Sequence, residues 1–316
     1  LMQPKRQVDP RKFKKVLILF NRYSGKQLFA SMPSRINEVF KLLKRELNAK
    51  VEMLDVEFFE QMPQLAQKVA EEKCDWVIIA GGDGTIRAFV EDMLHLDYHP
   101  YISVFPAGTV NLIAKEMFLR NDPVRWVQRA LKGFVYPLYT ARANGHLFLT
   151  VASVGFDSLV VDNVGFMEKR LLNKFAYVLQ STKVVRNELI FSNWRYAFEV
   201  RLDEEENWYS GSSVIIGKSR YYAGRYNLFP EAALTSPVFH VAIFPGHNRS
   251  DILKYASLIA LEGLSLDKGI IRRTARKIEV RSVTCEAEFP VELDGDGVTA
   301  TPLRLEMDAT PLAFIP

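Results

Sequence analysis

The chain has 316 residues, 48% of them hydrophobic and 25% charged, which excludes disordered, collagen-like and coiled-coil classes. At about 100–200 residues per domain it has room for two domains, and its two cysteines exclude a disulfide scaffold or a four-cysteine zinc site. The net charge of +4 is uneven: residues 1–26 hold eight basic side chains against Asp9 alone, so the remaining 290 residues are net acidic. A basic start of this kind can meet phosphate, a lipid surface or nucleic acid. The expectation for residues 1–15 is a solvated flank.

Residues 16–20 form a short apolar run, the pattern of a buried parallel strand. Ile36, Val39, Phe40, Leu43 and Leu47 then recur at helical spacing, with Pro33 suited to a first turn. Residues 51–58 read as a strand, and Leu65, Ala66, Val69 and Ala70 mark a helix. Residues 76–80 are a second buried run, ending at Gly81-Gly82, and Ile86, Phe89, Val90, Met93 and Leu94 start a helix at once. Residues 101–105 are a further strand, and Asp122-Pro123 opens a helix through Leu131. This alternation predicts an α/β doubly wound parallel sheet over residues 12–134. Beyond Gly133 strands dominate: 135–143, 146–154, 194–202, 207–217, 237–244, 277–284, 287–293 and 303–308, with helices near 165–186 and 250–264. Residues 135–316 are therefore expected to be an antiparallel β-sandwich domain, its last strand free to return to the first domain. The acidic run 203–206 reads as a solvated hairpin tip. No apolar run approaches the roughly 18 residues of a spanning helix. The polar start has no signal-peptide pattern, and with so few thiols the expected compartment is the cytoplasm.

The sharpest motif is Gly81-Gly82-Asp83-Gly84-Thr85, set between a buried strand and a helix. Three glycines are expected to supply positive φ angles and to let the backbone approach an anion. The helix directs free N–H groups into the same loop. Asn21-Arg22-Tyr23-Ser24-Gly25-Lys26 follows the first strand, and Pro106-Ala107-Gly108-Thr109-Val110-Asn111 follows the fourth. In an open parallel sheet all three loops lie at the ligand-binding edge. Neither a Walker loop nor a dinucleotide fingerprint occurs. Leu293-Asp294-Gly295-Asp296 offers two readings: a carboxylate projected after a strand, or an Asp-Gly hairpin turn. The five histidines show no metal-ligand spacing, and no protein metal site is expected from them.

In order, N-x-x-S-G, G-G-D-G-T, P-x-G-T-x-N, then Ala152-Ser153-Val154-Gly155-Phe156-Asp157 and Leu293-Asp294-Gly295-Asp296 resemble the diacylglycerol kinase catalytic family. That family includes bacterial lipid kinases and the sphingosine and ceramide kinases. NAD kinases and 6-phosphofructokinases share its G-G-D-G-T loop. The resemblance implies an ATP-dependent lipid kinase with an α/β nucleotide domain, a β-rich lipid domain and Mg²⁺ carried with ATP. It implies a nucleotide site of Asn21, Ser24, Gly81, Gly82, Gly84, Thr85, Gly108, Thr109, Asn111 and Asp296, with Asp83 facing the reacting centre and Asp294 as general base. The basic helix 165–186 holds Lys169, Arg170 and Lys174, which are read as a phosphate contact, a membrane contact or an ordinary solvated face. The implied partner is a lipid at a membrane surface, with peripheral contact on the inner face, room for a homodimer and no nucleic acid. Diacylglycerol is the default acceptor. A sphingoid-base kinase, a soluble NAD kinase-like enzyme and an inactive nucleotide sensor are the alternatives.

The chain departs from the family at four places. Arg22 stands where proline is usual, Arg87-Ala88 replaces an Asn-Glu pair, and Asp296 replaces a glutamate. Thr235-Ser236-Pro237 stands where many bacterial members carry an Asp-Gly pair that helps bind a structural Mg²⁺.

Overall fold

The computed structural model describes residues 3–24, 31–155, 197–222, 226–246, 267–283 and 288–316, with single positions 251, 254, 255 and 258. They divide into two units: Leu1–Thr140, Leu234–Ser236 and Ala309–Pro316 in the first, Ala141–Ala233 and Pro237–Asp308 in the second.

In the first unit the strands are β1 (Arg6–Gln7), β2 (Lys15–Asn21), β3 (Lys50–Val56), β4 (Trp76–Gly81), β5 (Tyr101–Pro106) and β6 (Phe134–Leu138). The helices are α1 (Met32–Glu46), α2 (Met62–Glu71), α3 (Asp83–Leu94), α4 (Leu112–Glu116) and α5 (Pro123–Ala130). Every residue of β4 is buried, and so is all of β2 beyond Lys15, because helices cover both faces of a parallel sheet. α1 turns Ile36, Val39 and Leu43 inward, the stripe expected from its spacing. The strand order is β1-β6-(Leu312–Phe314)-β5-β4-β2-β3. β3, β2, β4 and β5 are mutually parallel. From β2 the chain goes to β3 on one side and later to β4 on the other. The strand order therefore reverses beside β2, and a ligand crevice belongs at the carboxyl ends there. The final strand, Leu312–Phe314, lies parallel to β5 and antiparallel to β6, and Ile315 N–H donates to Ile102 O at 2.9 Å.

Residues 3–15 are not a free flank. β1 pairs with β6, and Asp9 caps a single 3₁₀ turn, Pro10–Lys12. Lys5 and Val8 donate backbone hydrogen bonds to Val135 O and Gly133 O (both 2.8 Å), which β6 would otherwise leave to water as a sheet edge. The side chains of Lys5, Arg6, Arg11, Lys12 and Lys14 stay exposed.

The second unit contains β7 (Ala141–Ala143), β8 (His146–Phe148), β9 (Val151–Val154), β10 (Phe198–Leu202), β11 (Tyr209–Gly211), β12 (Ser213–Gly217), β13 (Tyr221–Tyr222) and β14 (Tyr226–Asn227). It continues with β15 (Phe239–Phe244), β16 (Ile271–Ala275), β17 (Lys277–Ser282), β18 (Pro290–Leu293), β19 (Asp296–Ala300) and β20 (Leu303–Met307). Among the described residues two antiparallel sheets form, β11-β10-β17-β20-β7-β8 and β16-β15-β12-β9-β18-β19. One core joins them: Phe198, Val200 and Ile278 from the first sheet meet Val154, Val214 and Val241 from the second. The second sheet also buries its other face, where Ile215, Ala242 and Phe244 pack on Tyr222, Tyr226 and Phe229.

Three runs that read as single strands are each two strands. Residues 135–143 split into β6 and β7, which belong to different units. Residues 146–154 split at Leu149–Thr150 and residues 207–217 at Ser212, where the chain passes from one sheet to the other. At the 149–150 break both sides are apolar and buried, so alternation of side chains carries no mark of that crossing. In the acidic run 203–206, Asp203 is not merely solvated. With φ +49° it accepts from Arg276 N (2.7 Å) and Lys277 N (2.9 Å), closing the turn between β16 and β17. The helix expected at 165–186, with Lys169, Arg170 and Lys174, lies outside the described residues, as does most of 250–264.

Candidate active site

Three loops meet at the carboxyl ends of β2, β4 and β5, which are adjacent in the sheet. Asn21 closes β2, and its Nδ2 donates to Thr85 Oγ1 in the first turn of α3 (2.9 Å). Its Oδ1 accepts from Tyr23 N (2.9 Å), and Ser24 N donates back to Asn21 O (3.2 Å), so one amide shapes the first loop and ties it to the second. Gly82 O accepts the first helical bonds of α3, from Thr85 N (3.0 Å) and Ile86 N (3.1 Å). Ala107 N–H donates to Gly81 O (3.2 Å), binding the third loop to the second.

Gly81, Gly82, Gly84 and Gly108 all have ordinary φ, so the expected positive φ is not why glycine stands there. The reason is close approach. A Cβ on Gly108 would lie 2.5 Å from Gly82 Cα and 2.7 Å from Asn111 Oδ1. One on Gly82 would lie 3.2 Å from Ser24 Oγ and 3.3 Å from Gly108 Cα. One on Gly84 would meet nothing nearer than Phe59 Cζ at 4.0 Å, so that position opens outward.

Asn111 adopts the left-handed conformation (φ +53°), tolerable for asparagine, and clasps Gly108 with two hydrogen bonds. Gly108 N donates to its Oδ1 (2.9 Å) and its Nδ2 donates to Gly108 O (2.7 Å). Thr109, between them, is exposed. Asp83, expected to face the reacting centre, turns its carboxylate to α4: Oδ2 accepts from Leu112 N (2.8 Å) and Oδ1 from Ile113 N (3.2 Å). It thereby locks the second loop to the third. Tyr23, Phe58 and Phe59 stand exposed (48%, 61% and 52%) just beyond β2 and β3, an aromatic rim that the sequence reading did not single out. Arg22, at the position where proline is usual, pairs with Asp55 on β3 (2.6 Å).

Asp294 belongs to the second unit, and its place in the chain is the Asp-Gly hairpin of the two sequence readings. Leu293 pairs with Asp296, so Asp294-Gly295 is a two-residue hairpin between β18 and β19, with φ +52° and +96°. Its carboxylate reaches the break between β8 and β9. Oδ2 accepts from Leu149 N (2.7 Å); Oδ1 accepts from Thr150 N (2.8 Å), Thr150 Oγ1 (2.6 Å) and Val151 N (3.1 Å). The N–H groups of Leu149 and Thr150 lie between the two sheets and that of Val151 begins β9, and a buried orphan donor is costly. Oδ1 is saturated; Oδ2 has one partner among the described residues, leaving a lone pair for a further proton. Asp296 begins β19 and is half-buried.

Lys218, just past β12, is completely buried and was missed from sequence, where a lone lysine after an apolar run looks like a solvated strand end. Its Nζ donates to Leu149 O (3.3 Å). Burial pushes its pKa down to about 8, against the pull of Asp294 and then Asp308.

A family model described as "Diacylglycerol kinase catalytic domain" matches residues 15–143. A second, described as "YegS C-terminal NAD kinase beta sandwich-like domain", matches 150–315, more than half of the chain. The chain belongs to the diacylglycerol kinase catalytic family. Among members of this family, a protein named diacylglycerol kinase from Bacillus subtilis (strain 168) is 23% identical over 287 residues, covering 90% of each chain. One of the same name from Staphylococcus epidermidis (strain ATCC 12228 / FDA PCI 1200) is 23% identical over 286 residues, covering 90% of this chain and 86% of that one. A crystal structure of a diacylglycerol kinase from Bacillus anthracis str. Sterne superposes with a TM-score of 0.71 at 17% identity, covering 96% of this chain and 97% of that one. At that identity the superposition shows the family fold.

Among the described residues no group of three or more His, Cys, Asp or Glu side chains could hold a metal, and Thr235-Ser236-Pro237 offers no carboxylate. Mg²⁺ needs oxygen ligands and usually one or two carboxylates. The protein without nucleotide is therefore expected to melt at the same temperature with and without EDTA. A large drop reversed by Mg²⁺ alone would reveal a structural metal site.

Proposed function

We propose that the chain is an ATP-dependent lipid kinase that moves the γ-phosphate of ATP to a lipid hydroxyl. Diacylglycerol is the first acceptor to test, and a sphingoid base or another membrane lipid the next. The observation that carries this reading is the interlocked cradle of three loops, where a Cβ on Gly108 would meet Gly82 Cα at 2.5 Å, one on Gly82 would be tight at 3.2–3.3 Å, and α3 begins. The names of the relatives support a lipid acceptor.

Asn21, Ser24, Gly81, Gly82, Gly84, Thr85, Gly108, Thr109 and Asn111 would orient the phosphates. Asp83 holds the loops in register for them. Lys169, Arg170, Lys174 and Asp296 are assigned to the nucleotide by family resemblance. Mg²⁺, arriving with ATP, would neutralise phosphate charge. The lipid hydroxyl oxygen bonds to the γ-phosphorus while the bond from that phosphorus to the β,γ-bridging oxygen breaks. The hydroxyl proton passes to Oδ2 of Asp294, and ADP leaves. Positioning and charge neutralisation supply most of the rate.

The test is an acceptor panel: ATP and Mg²⁺ with diacylglycerol in mixed micelles, a sphingoid base in mixed micelles, or NAD in solution. Phosphorylated diacylglycerol is the expected product. Phosphorylation of NAD alone would replace the lipid reading with a soluble kinase. ATP binding with no transfer to any acceptor would replace it with a nucleotide sensor.

No helix among the described residues is long and apolar enough to cross a membrane. The proposed place is the cytoplasm, with peripheral contact on the inner face. The exposed cations Lys5, Arg6, Arg11, Lys12 and Lys14 would face anionic lipid. Binding to anionic vesicles is expected to weaken as salt rises, since the Debye length is about 8 Å at physiological ionic strength. Salt-insensitive binding, or none, would assign these cations to solvent.

A further inference from the structure

A buried ammonium is costly unless it is paired and hydrogen-bonded. Lys218 is fully buried, yet nothing in the phosphate transfer described above uses it. Two of its hydrogen bonds go to residues that Asp294 also holds. Lys218 N–H donates to Thr150 O (2.8 Å), and Lys218 Nζ donates to Leu149 O (3.3 Å). Asp294 takes the N–H groups of Leu149, Thr150 and Val151, and Asp294 N–H donates to Val151 O (2.9 Å). The link from β8 to β9 is thus clamped by a carboxylate on its donors and by an ammonium on an acceptor.

We propose that Lys218 is a positioning residue for Asp294: its buried positive charge fixes the 149–151 turn and keeps the Asp294 carboxylate aimed. The inference rests on the reading of Asp294 as the base that receives the lipid proton.

The charges that act on Lys218 are Asp294, on the β18–β19 turn, and Asp308, just past β20. Arg142 on β7 bonds Asp308 (3.3 Å) and shares that charge, and Asp294 is the larger of the two influences on Lys218. The lysine is protonated below its folded pKa, about 8, and loses its proton as pH rises through that value. Asp294 would then lose its counter-charge, and the turn its Nζ donor. Turnover should follow, while ATP, held by loops of the other unit, should not.

The experiment measures kcat and the KM for ATP from pH 6 to pH 10, with diacylglycerol micelles, for wild type, Lys218→Met and Lys218→Arg. Melting temperature and ATP affinity check the fold of each variant. Methionine matches the length of lysine without the charge, and arginine stays charged throughout this range. Wild-type kcat is expected to fall above pH about 8. Lys218→Met should lose kcat on the order of tenfold at pH 7, with the KM for ATP unchanged and no alkaline limb near 8. Lys218→Arg, where it folds, should keep its kcat to higher pH than wild type; where it does not, the Met profile alone decides. A Met variant with wild-type kcat, with the same alkaline limb, or with equal losses in kcat and ATP affinity would overturn the inference. Wild type without lipid phosphorylation at any pH would instead overturn the lipid-kinase reading, and this inference with it.

Discussion

Gly108→Ala is expected to abolish ATP binding while the protein stays folded. A new Cβ would sit 2.5 Å from Gly82 Cα, whereas carbon atoms rest at about 3.5–4.0 Å. Gly82 Cα is backbone and the Cβ is fixed by its own backbone, so no rotation about χ relieves the contact, and the two loops must separate by about 1 Å. The clasp of Asn111 on Gly108 and the bond from Ala107 to Gly81 would be strained together. Losing two charge-assisted hydrogen bonds to phosphate corresponds to about 3 kcal/mol or more, on the order of a hundredfold in affinity. Gly82→Ala should act in the same direction but less, since its nearest neighbour is the hydroxyl of Ser24, which can rotate. Gly84→Ala reads the ligand itself. No protein atom lies nearer than 4.0 Å to the new methyl group, so lost affinity there means that phosphate needs the space. Titration calorimetry with ATP, beside a melting curve for each variant, measures all three. Wild-type affinity in both Gly82→Ala and Gly108→Ala would remove the phosphate-cradle reading.

Asp294→Asn is expected to lower turnover by about 100-fold or more, the range of general-base catalysis, with ATP affinity close to wild type. The structure adds a second effect. An asparagine can present only one oxygen to the β8–β9 link. With that oxygen toward Thr150 and Val151, its NH₂ would point at the N–H of Leu149, donor against donor. An unsatisfied buried donor costs about 1–3 kcal/mol, so the melting temperature should fall as well. Thr150→Val separates the two effects. It removes one hydroxyl donor from Oδ1 and leaves Oδ2 untouched, so it should lower stability more than turnover. Loss of ATP affinity in step with turnover in Asp294→Asn would mean that the carboxylate serves nucleotide or metal.

The first unit was largely legible in the sequence. Its strands are continuous apolar runs, its helices have one clear stripe, and glycine-rich turns separate them, so type and order follow from local pattern. The three loops at its carboxyl edge were legible for the same reason. The role of their glycines was not: φ +53° falls on Asn111, and glycine at 82 and 108 answers a contact between loops 26 residues apart, which no local pattern encodes. In the second unit the hairpin at Asp294-Gly295 was legible as a turn. Its hold on Leu149–Val151 was hidden because those residues lie more than 140 positions away. Lys218 was hidden in the same way, since Leu149 lies 69 positions from it. A lysine beyond an apolar strand looks solvated until folding closes the sheet-to-sheet crossing over it.

The central claim is that phosphate moves from ATP to a lipid. Its most direct test is to incubate the purified chain with a total lipid extract and Mg²⁺, using ATP labelled at the γ-phosphate in one sample and at the α-phosphate in another. After organic extraction, γ-label but not α-label should appear in the lipid phase, in a product that Asp294→Asn forms at about a hundredth of the rate or less. Label confined to the aqueous phase in both samples would contradict the claim.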